Sequence, residues 1–278
     1  MCGIAGYLSA THAPALRGEA VARMNAAQAH RGPDASGSAT WGEATLGMRR
    51  LAIFDPAHGH QPMSTPDGRW HLVFNGALYN FRALRAELAA TYDFKTECDT
   101  EVLLAALARW GRAALPRLRG MFAFALWDAQ ERTLLLARDS FGIKPLYLHS
   151  TLDGSLLFAS ELNALLASGC VPAAIDPQAV SDYLAWLAVP APRTIYRSIR
   201  SLGAGECATW HNGKLTISAY DTARDWLAPA ANPTPARSRA EFTAGLRAQL
   251  EDTLPRRLRN LGPRHQRSHA PRRTLLGE

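Results

Sequence analysis

The chain has 278 residues, 47% of them hydrophobic, enough to bury a real core in one large domain or two smaller ones. No apolar run reaches membrane-spanning length and no signal segment opens the chain. Four scattered cysteines without a CxxC pair argue against a disulfide framework or zinc site and for a reducing, cytoplasmic setting. The formal charge of +7 lies almost wholly beyond Pro255, where seven arginines face the single acid Glu278, so the nearly neutral remainder points to no polyanion partner.

The chain opens Met1-Cys2-Gly3-Ile4-Ala5-Gly6. Aminopeptidases trim methionine before small residues, which would leave Cys2 carrying both a thiol and a free α-amine. Those groups titrate near ~8.5 and ~8, so the amine can take the thiol's proton, directly or through a water. A lone cysteine at a chain start is more often an ordinary buried residue; other stretches change that weighting. Ile4 and Tyr7 suit a strand, and Leu16, Ala20, Val21, Met24 and Ala27 recur at helical spacing. His30-Arg31-Gly32-Pro33-Asp34, followed by Ala35-Ser36-Gly37, is turn chemistry. Arg49 to Asp55 reads as a short strand behind a basic pair, and an arginine there can offer a two-pronged donor to a carboxylate. Gln61-Pro62-Met63 and Pro66-Asp67-Gly68 mark loops.

Leu72 to Asn80 runs from a strand through Asn75-Gly76 into a helix carrying Phe81, Leu84 and Leu88. A helical pattern after Asn-Gly, in place of a hairpin, sets the amide and the glycine N–H at a strand end, free to donate as an oxyanion hole does. Asp99 or Thr100 is an N-cap candidate for the helix through Trp110. Gly120 to Asp128 and Thr133 to Asp139 read as buried strands, and Phe141 to Leu148 and Leu156 to Ser160 continue the sheet. Short helices follow from Glu161 and from Asp176-Pro177, then a hairpin about His211-Asn212-Gly213-Lys214. Asp221 to about residue 240 is Ala/Pro-rich linker, Glu241 to Leu254 is helical by pattern, and the basic tail beyond has no apolar periodicity.

Taken together, Met1 to Ile4, His30 to Asp34, Arg50 to Ile53, Asn75-Gly76 with Tyr79-Asn80, Asp99 to Glu101, Ala137 to Asp139, Gly142 to Tyr147, Ser160 to Leu162 and Pro190 to Tyr196 resemble the class II (N-terminal nucleophile) glutamine amidotransferases. The similarity is strongest to the glutaminase half of glutamine-hydrolysing asparagine synthetases and runs from Met1 to about Leu254. The resemblance implies an α+β fold, an Ntn-hydrolase-like four-layer αββα sandwich of two antiparallel sheets between helices. It divides the chain into a glutaminase domain at 1–220, a linker at 221–240 and a truncated or frame-shifted start of a synthetase domain at 241–278. It implies that Cys2 attacks the carboxamide of L-glutamine and that Asn75 and Gly76 hold the oxyanion. Arg50 would then bind the α-carboxylate and Asp99 the α-ammonium, with Leu51, Ile53 and Phe54 lining the pocket. No cofactor or metal is implied for glutamine hydrolysis; the ATP and Mg of the full-length family need a Ser-Gly-Gly loop that the sequence does not contain.

Two departures bear on activity. The family's Asn-Gly-Glu reads Asn75-Gly76-Ala77 here, leaving Asp99 to recognise the amine alone, and the basic tail replaces the expected pyrophosphate loop. The partners implied are glutamine and either a separate synthetase subunit or a second copy, with no membrane and no specific nucleic acid. An amidotransferase of a polysaccharide or natural-product pathway and a catalytically idle regulatory remnant are the alternatives left open.

Overall fold

The computed structural model describes residues 1–52, 58–221 and 238–259, with the side chains of 252 and 254–259 outside the description. Ile53 and Phe54, expected to line the pocket, and most of the expected linker and tail lie outside the described residues.

Two six-stranded antiparallel sheets form the centre. The first is built from β1 (Gly3–Leu8), β2 (Ala35–Trp41), β3 (Ala44–Arg50), β8 (Tyr147–Ser150), β9 (Leu156–Ala159) and β10 (Arg200–Ser201), in the order β10-β8-β9-β1-β3-β2. The second contains β4 (Met63–Ser64), β5 (Trp70–Leu78), β6 (Gly120–Asp128), β7 (Thr133–Arg138), β11 (Glu206–His211) and β12 (Lys214–Ala219), in the order β12-β11-β7-β6-β5-β4.

Strand alternation sets the layers. From β1, Ile4 and Leu8 point into a core shared by the two sheets, where Leu46, Met48, Val73, Ala125, Trp127 and Trp210 meet them. Ala5 and Tyr7 point the other way, onto α1 (Pro14–Ala27) and α4 (Leu162–Ala167) through Val21, Met24 and Leu165. On the second sheet, Phe74, Leu78, Phe122 and Phe124 pack outward against α2 (Phe81–Leu88) and α3 (Asp99–Trp110). The result is helix, sheet, sheet, helix, the expected four-layer order. Burial of α3 is nearly all-round from Val102 to Leu107, which is why its apolar residues show no single stripe.

Outside the layers, α5 (Pro177–Trp186) starts where Asp176 caps it by accepting from Gln178 N at 3.0 Å, with Pro177 first in the helix as expected. The helix expected at Glu241 to Leu254 forms within α6 (Arg239–Arg259). The side chains described on α6, Phe242, Leu246 and Leu250 among them, are exposed, so it adds nothing to the four-layer core.

Four expectations are corrected. Ala35-Ser36-Gly37 is the start of β2, an edge strand of small polar residues, and Met63 opens β4. Phe141 to Leu146 is a turn, wound about the Asp139 carboxylate, which accepts from the N–H groups of Phe141, Ile143 and Lys144. The strand expected at Arg49 to Asp55 begins earlier, at Ala44, and ends at Arg50.

Candidate active site

Cys2 stands just before β1, in phase with Ile4, so its side chain meets the core between the sheets. Its Sγ receives the Leu51 N–H at 3.4 Å and lies 3.7 Å from Leu51 O. Burial pushes the thiol up from its ordinary value, opposed by the Leu51 N–H and the positive charges of the chain terminus and Arg50, and reinforced by Asp99. The charges of Arg50 and Asp99 therefore both reach the thiol.

The strand end that presents Arg50 and Leu51 is braced by the His30 to Asp34 turn. Asp34 N–H donates to Arg50 O at 3.1 Å, and Ala52 N–H donates to an Asp34 carboxylate oxygen at 2.8 Å. Gly32 allows the approach: a Cβ there would lie 2.3 Å from the carbonyl carbon of Arg49. The same turn grips the backbone of Cys2. Arg31 Nε donates to Cys2 O at 2.9 Å, and its Nη1 donates to Glu161 Oε1 at 3.0 Å. Ser160 pairs with the next residue but one, accepting from Ile4 N–H at 3.0 Å. Arg31 thus links Cys2 to Glu161 as well as forming part of a turn. Ser160 and Glu161 were quoted in the resemblance but given no role; Glu161 lies 130 positions from Arg31, and no sequence pattern signals that pairing.

Across the gap, Asn75 and Gly76 lie inside β5, opposite Ala123 and Phe122, and not at a strand end as expected. Gly76 is required by backbone contact, since an added Cβ would sit 2.4 Å from Met121 O. Asn75 shares the inward face of β5 with Val73 and Ala77. Its Nδ2 is buried with no hydrogen-bond partner among the described residues. The N–H groups of Phe74 and Leu78 leave β5 on the edge away from β6, to Gln61 Oε1 at 2.7 Å and Asp99 Oδ2 at 2.9 Å. Alternation therefore directs the Gly76 N–H to that edge, between them.

Asp99 is the first helical residue of α3 and not its cap; Cys98 precedes the helix and makes no side-chain cap. The Asp99 carboxylate reaches back to β5. Burial lifts it to about 6, against the pull of the N–H groups of Leu78, Asp99 and Thr100 and the charge of Arg50. Arg50 is itself buried, on the inward face of β3 with Met48 and Leu46. The structure thus places Cys2, Arg50, Leu51, Asn75, Gly76 and Asp99 around one gap between the sheets. Among the described residues, no group of three or more His, Cys, Asp or Glu is arranged to hold a metal, and no helix is long and apolar enough to cross a membrane.

A fold of two antiparallel sheets between helices, with a second-residue cysteine at the mouth of the inter-sheet gap, is of the Ntn type. Solved structures bear this out. A glutamine phosphoribosylpyrophosphate amidotransferase from B. subtilis, complexed with ADP and GMP, shares the fold with a TM-score of 0.57 and 21% identity, covering 78% of this chain and 49% of that one. The glutamine amidotransferase domain model matches residues 1–221, and the chain belongs to that family. Among curated relatives, a putative glutamine-hydrolysing asparagine synthetase of Mycobacterium tuberculosis is 38% identical across 93% of this chain and 42% of its own length. Asparagine synthetase 1 of Bacillus subtilis is 38% identical across 79% of this chain and 35% of its own. The chain spans less than half the length of these relatives.

Proposed function

We propose that this chain is the glutaminase half of a glutamine-hydrolysing asparagine-synthetase-like amidotransferase. Once Met1 is removed, the Cys2 α-amine takes the thiol proton and Sγ attacks the side-chain carbonyl carbon of L-glutamine. The C=O π pair moves to oxygen, and Asn75 Nδ2 and the Gly76 N–H donate to that oxyanion. Collapse expels ammonia, which carries off the proton held by the α-amine, and leaves a thioester. Water then adds to the thioester, the sulfur departs with a proton, and glutamate is released. Arg50 pairs with the substrate α-carboxylate and Asp99 with its α-ammonium, so a zwitterion is fixed at both ends while the donors meet the reacting oxygen. Leu51 lines the pocket and holds Sγ through its N–H; Ile53 and Phe54 complete it on the resemblance alone.

The observation that carries this reading is the buried Asn75 Nδ2, without a hydrogen-bond partner among the described residues and facing the gap that holds Cys2. A buried donor without an acceptor costs about 1–3 kcal/mol, a cost that makes sense where a ligand atom supplies the acceptor. No step needs ATP, Mg or another cofactor. The relatives are named asparagine synthetases, and on this reading the amide-forming step belongs to a portion that this chain does not match or to a separate synthetase subunit. The division into a domain at 1–220 and a linker at 221–240 belongs to this proposal, as does a cytoplasmic setting.

The test is glutamate and ammonia release from L-glutamine by the purified chain beside Cys2→Ala. Release by the first and none by the second supports the reading. No release from a folded chain shown to have lost Met1 overturns it.

A further inference from the structure

The proposed reaction leaves one buried cation at its edge without a task. Lys144 lies in the turn between β7 and β8 and is only 5% exposed. Its backbone is fixed from two directions. The Asp139 carboxylate accepts the N–H groups of Phe122, Phe141, Ile143 and Lys144 at 3.0–3.1 Å. The Arg138 guanidinium donates to the carbonyls of Gly142, Lys144 and Leu202 at 2.6–2.7 Å. Held this way, the side chain runs to the chain terminus, where Nζ lies 3.2 Å from Met1 Sδ, its one hydrogen-bond partner among the described residues. Asp139, the acid whose charge reaches it, already has its oxygens taken by backbone N–H groups.

A thioether is a weak acceptor, a poor partner for a buried ammonium. The processed chain lacks even that: removing Met1 takes away the sulfur and leaves the new α-amine of Cys2 in the same corner. We propose that Lys144 is a positioning residue for the glutaminase reaction, its fixed ammonium standing beside the Cys2 α-amine and keeping that amine in the free-base form the thiol proton needs. The inference rests on the glutaminase reading.

The surroundings agree in sign. At the terminus of the chain as encoded, burial lowers the α-ammonium first; Arg31 and Lys144 lower it further, while Cys2 and Asp34 raise it. Arg31 is the stronger of the two cations at the terminus, but it is already paired with Glu161, which also pairs with His30. Lys144 has no such acid in contact among the described residues. Burial lowers Lys144 itself, with Arg31 adding to that and Cys2 and Asp139 opposing it. On the thiol side of the corner, Arg50 favours the thiolate and Asp99 opposes it.

The experiment is kcat/KM for glutamine against pH for the processed wild type, Lys144→Met and Lys144→Arg, with loss of Met1 verified by mass. The Met variant should move the acid limb upward by about 0.5–1 pH unit, be several-fold slower near pH 6.5 and converge on the wild type at alkaline pH. The Arg variant should follow the wild type. An unmoved acid limb in the Met variant, or an equal loss at every pH, overturns the proposal. If the Met variant fails to fold, direct NMR titration of the wild-type α-amine decides, because a midpoint at or above the ordinary ~8 overturns it. A wild type with no Cys2-dependent turnover would instead sink the glutaminase reading, so the two failures are distinct.

Discussion

On the side of the gap formed by β1 and β3, the groups around Cys2 are cross-bonded. Arg31 holds Cys2 O, Leu51 N–H points at Sγ, Ser160 holds Ile4 N–H, and Asp34 ties Ala52. On the side formed by β5 and α3, Asn75 Nδ2 has no partner among the described residues and Asp99 is held above its usual range by burial. The first side is tied to the Cys2 backbone by several hydrogen bonds; on the proposed reading, the second side is completed by glutamine. Arg31 Nη2 and the Gln28 amide on the first side are also buried without a partner among the described residues, so it is the position of the Asn75 amide, on the inward face of β5, that sets it apart.

That contrast can be broken or sharpened by substitution. The largest effect is expected at Asn75→Ala, which should lower kcat by about 100- to 1000-fold with little change in KM, as for loss of an oxyanion donor. Because the amide has no partner to lose, the melting temperature should hardly fall. A large loss of stability with unchanged kcat would show that Asn75 is a packing residue.

Asp99→Asn comes next and acts through KM. With the carboxyl at about 6, the wild-type KM for glutamine should rise as pH falls below about 6, and the Asn variant should show a high KM with no such dependence. Stability should move the other way. A carboxyl raised on folding from an unfolded value near ~3.9 costs stability that grows from pH ~4 to ~6 and is constant above. Asp99→Asn should therefore stabilise the ligand-free protein at pH 7 by up to about 3 kcal/mol, with no gain near pH 4. Denaturant melts at the two pH values check this.

The smallest effect is expected at Ala77→Glu, which adds an acid to the inward face of β5 beside Asn75. A second carboxylate for the substrate ammonium should tighten glutamine binding by about 1–3 kcal/mol, read as a lower KM. No gain would show that Asp99 already satisfies the amine.

Much of this was legible in the sequence, unevenly. The apolar runs of β1, β5 and β6 and the helical spacing of α1 are written in their residues. The stacking of two sheets is not, and came from the resemblance. Edge strand β2 was missed because Ala35-Ser36-Gly37-Ser38 has neither apolar alternation nor β-branched residues. Phe141 to Leu146 has a strand's composition, but Phe141 and Ile143 are exposed and the backbone closes on Asp139. Asp99 has the sequence signature of a cap, yet its partner is Leu78 N–H, a contact that only tertiary packing creates. The residues expected to act on glutamine were readable through family motifs. The residues that brace them, Arg31 to Glu161 and Lys144 to the chain terminus, are paired across 130 and 143 positions and have no local signal.

The most direct test of the central claim is labelling with a diazoketone analogue of glutamine, which alkylates a nucleophilic thiol in the glutamine position with loss of dinitrogen. Peptide mass mapping should find one adduct, on a first peptide that lacks Met1 and carries the label on Cys2, with protection by excess L-glutamine. An unlabelled Cys2 in folded, Met1-free protein, or labelling that glutamine does not suppress, would contradict the claim that this gap is a glutamine site.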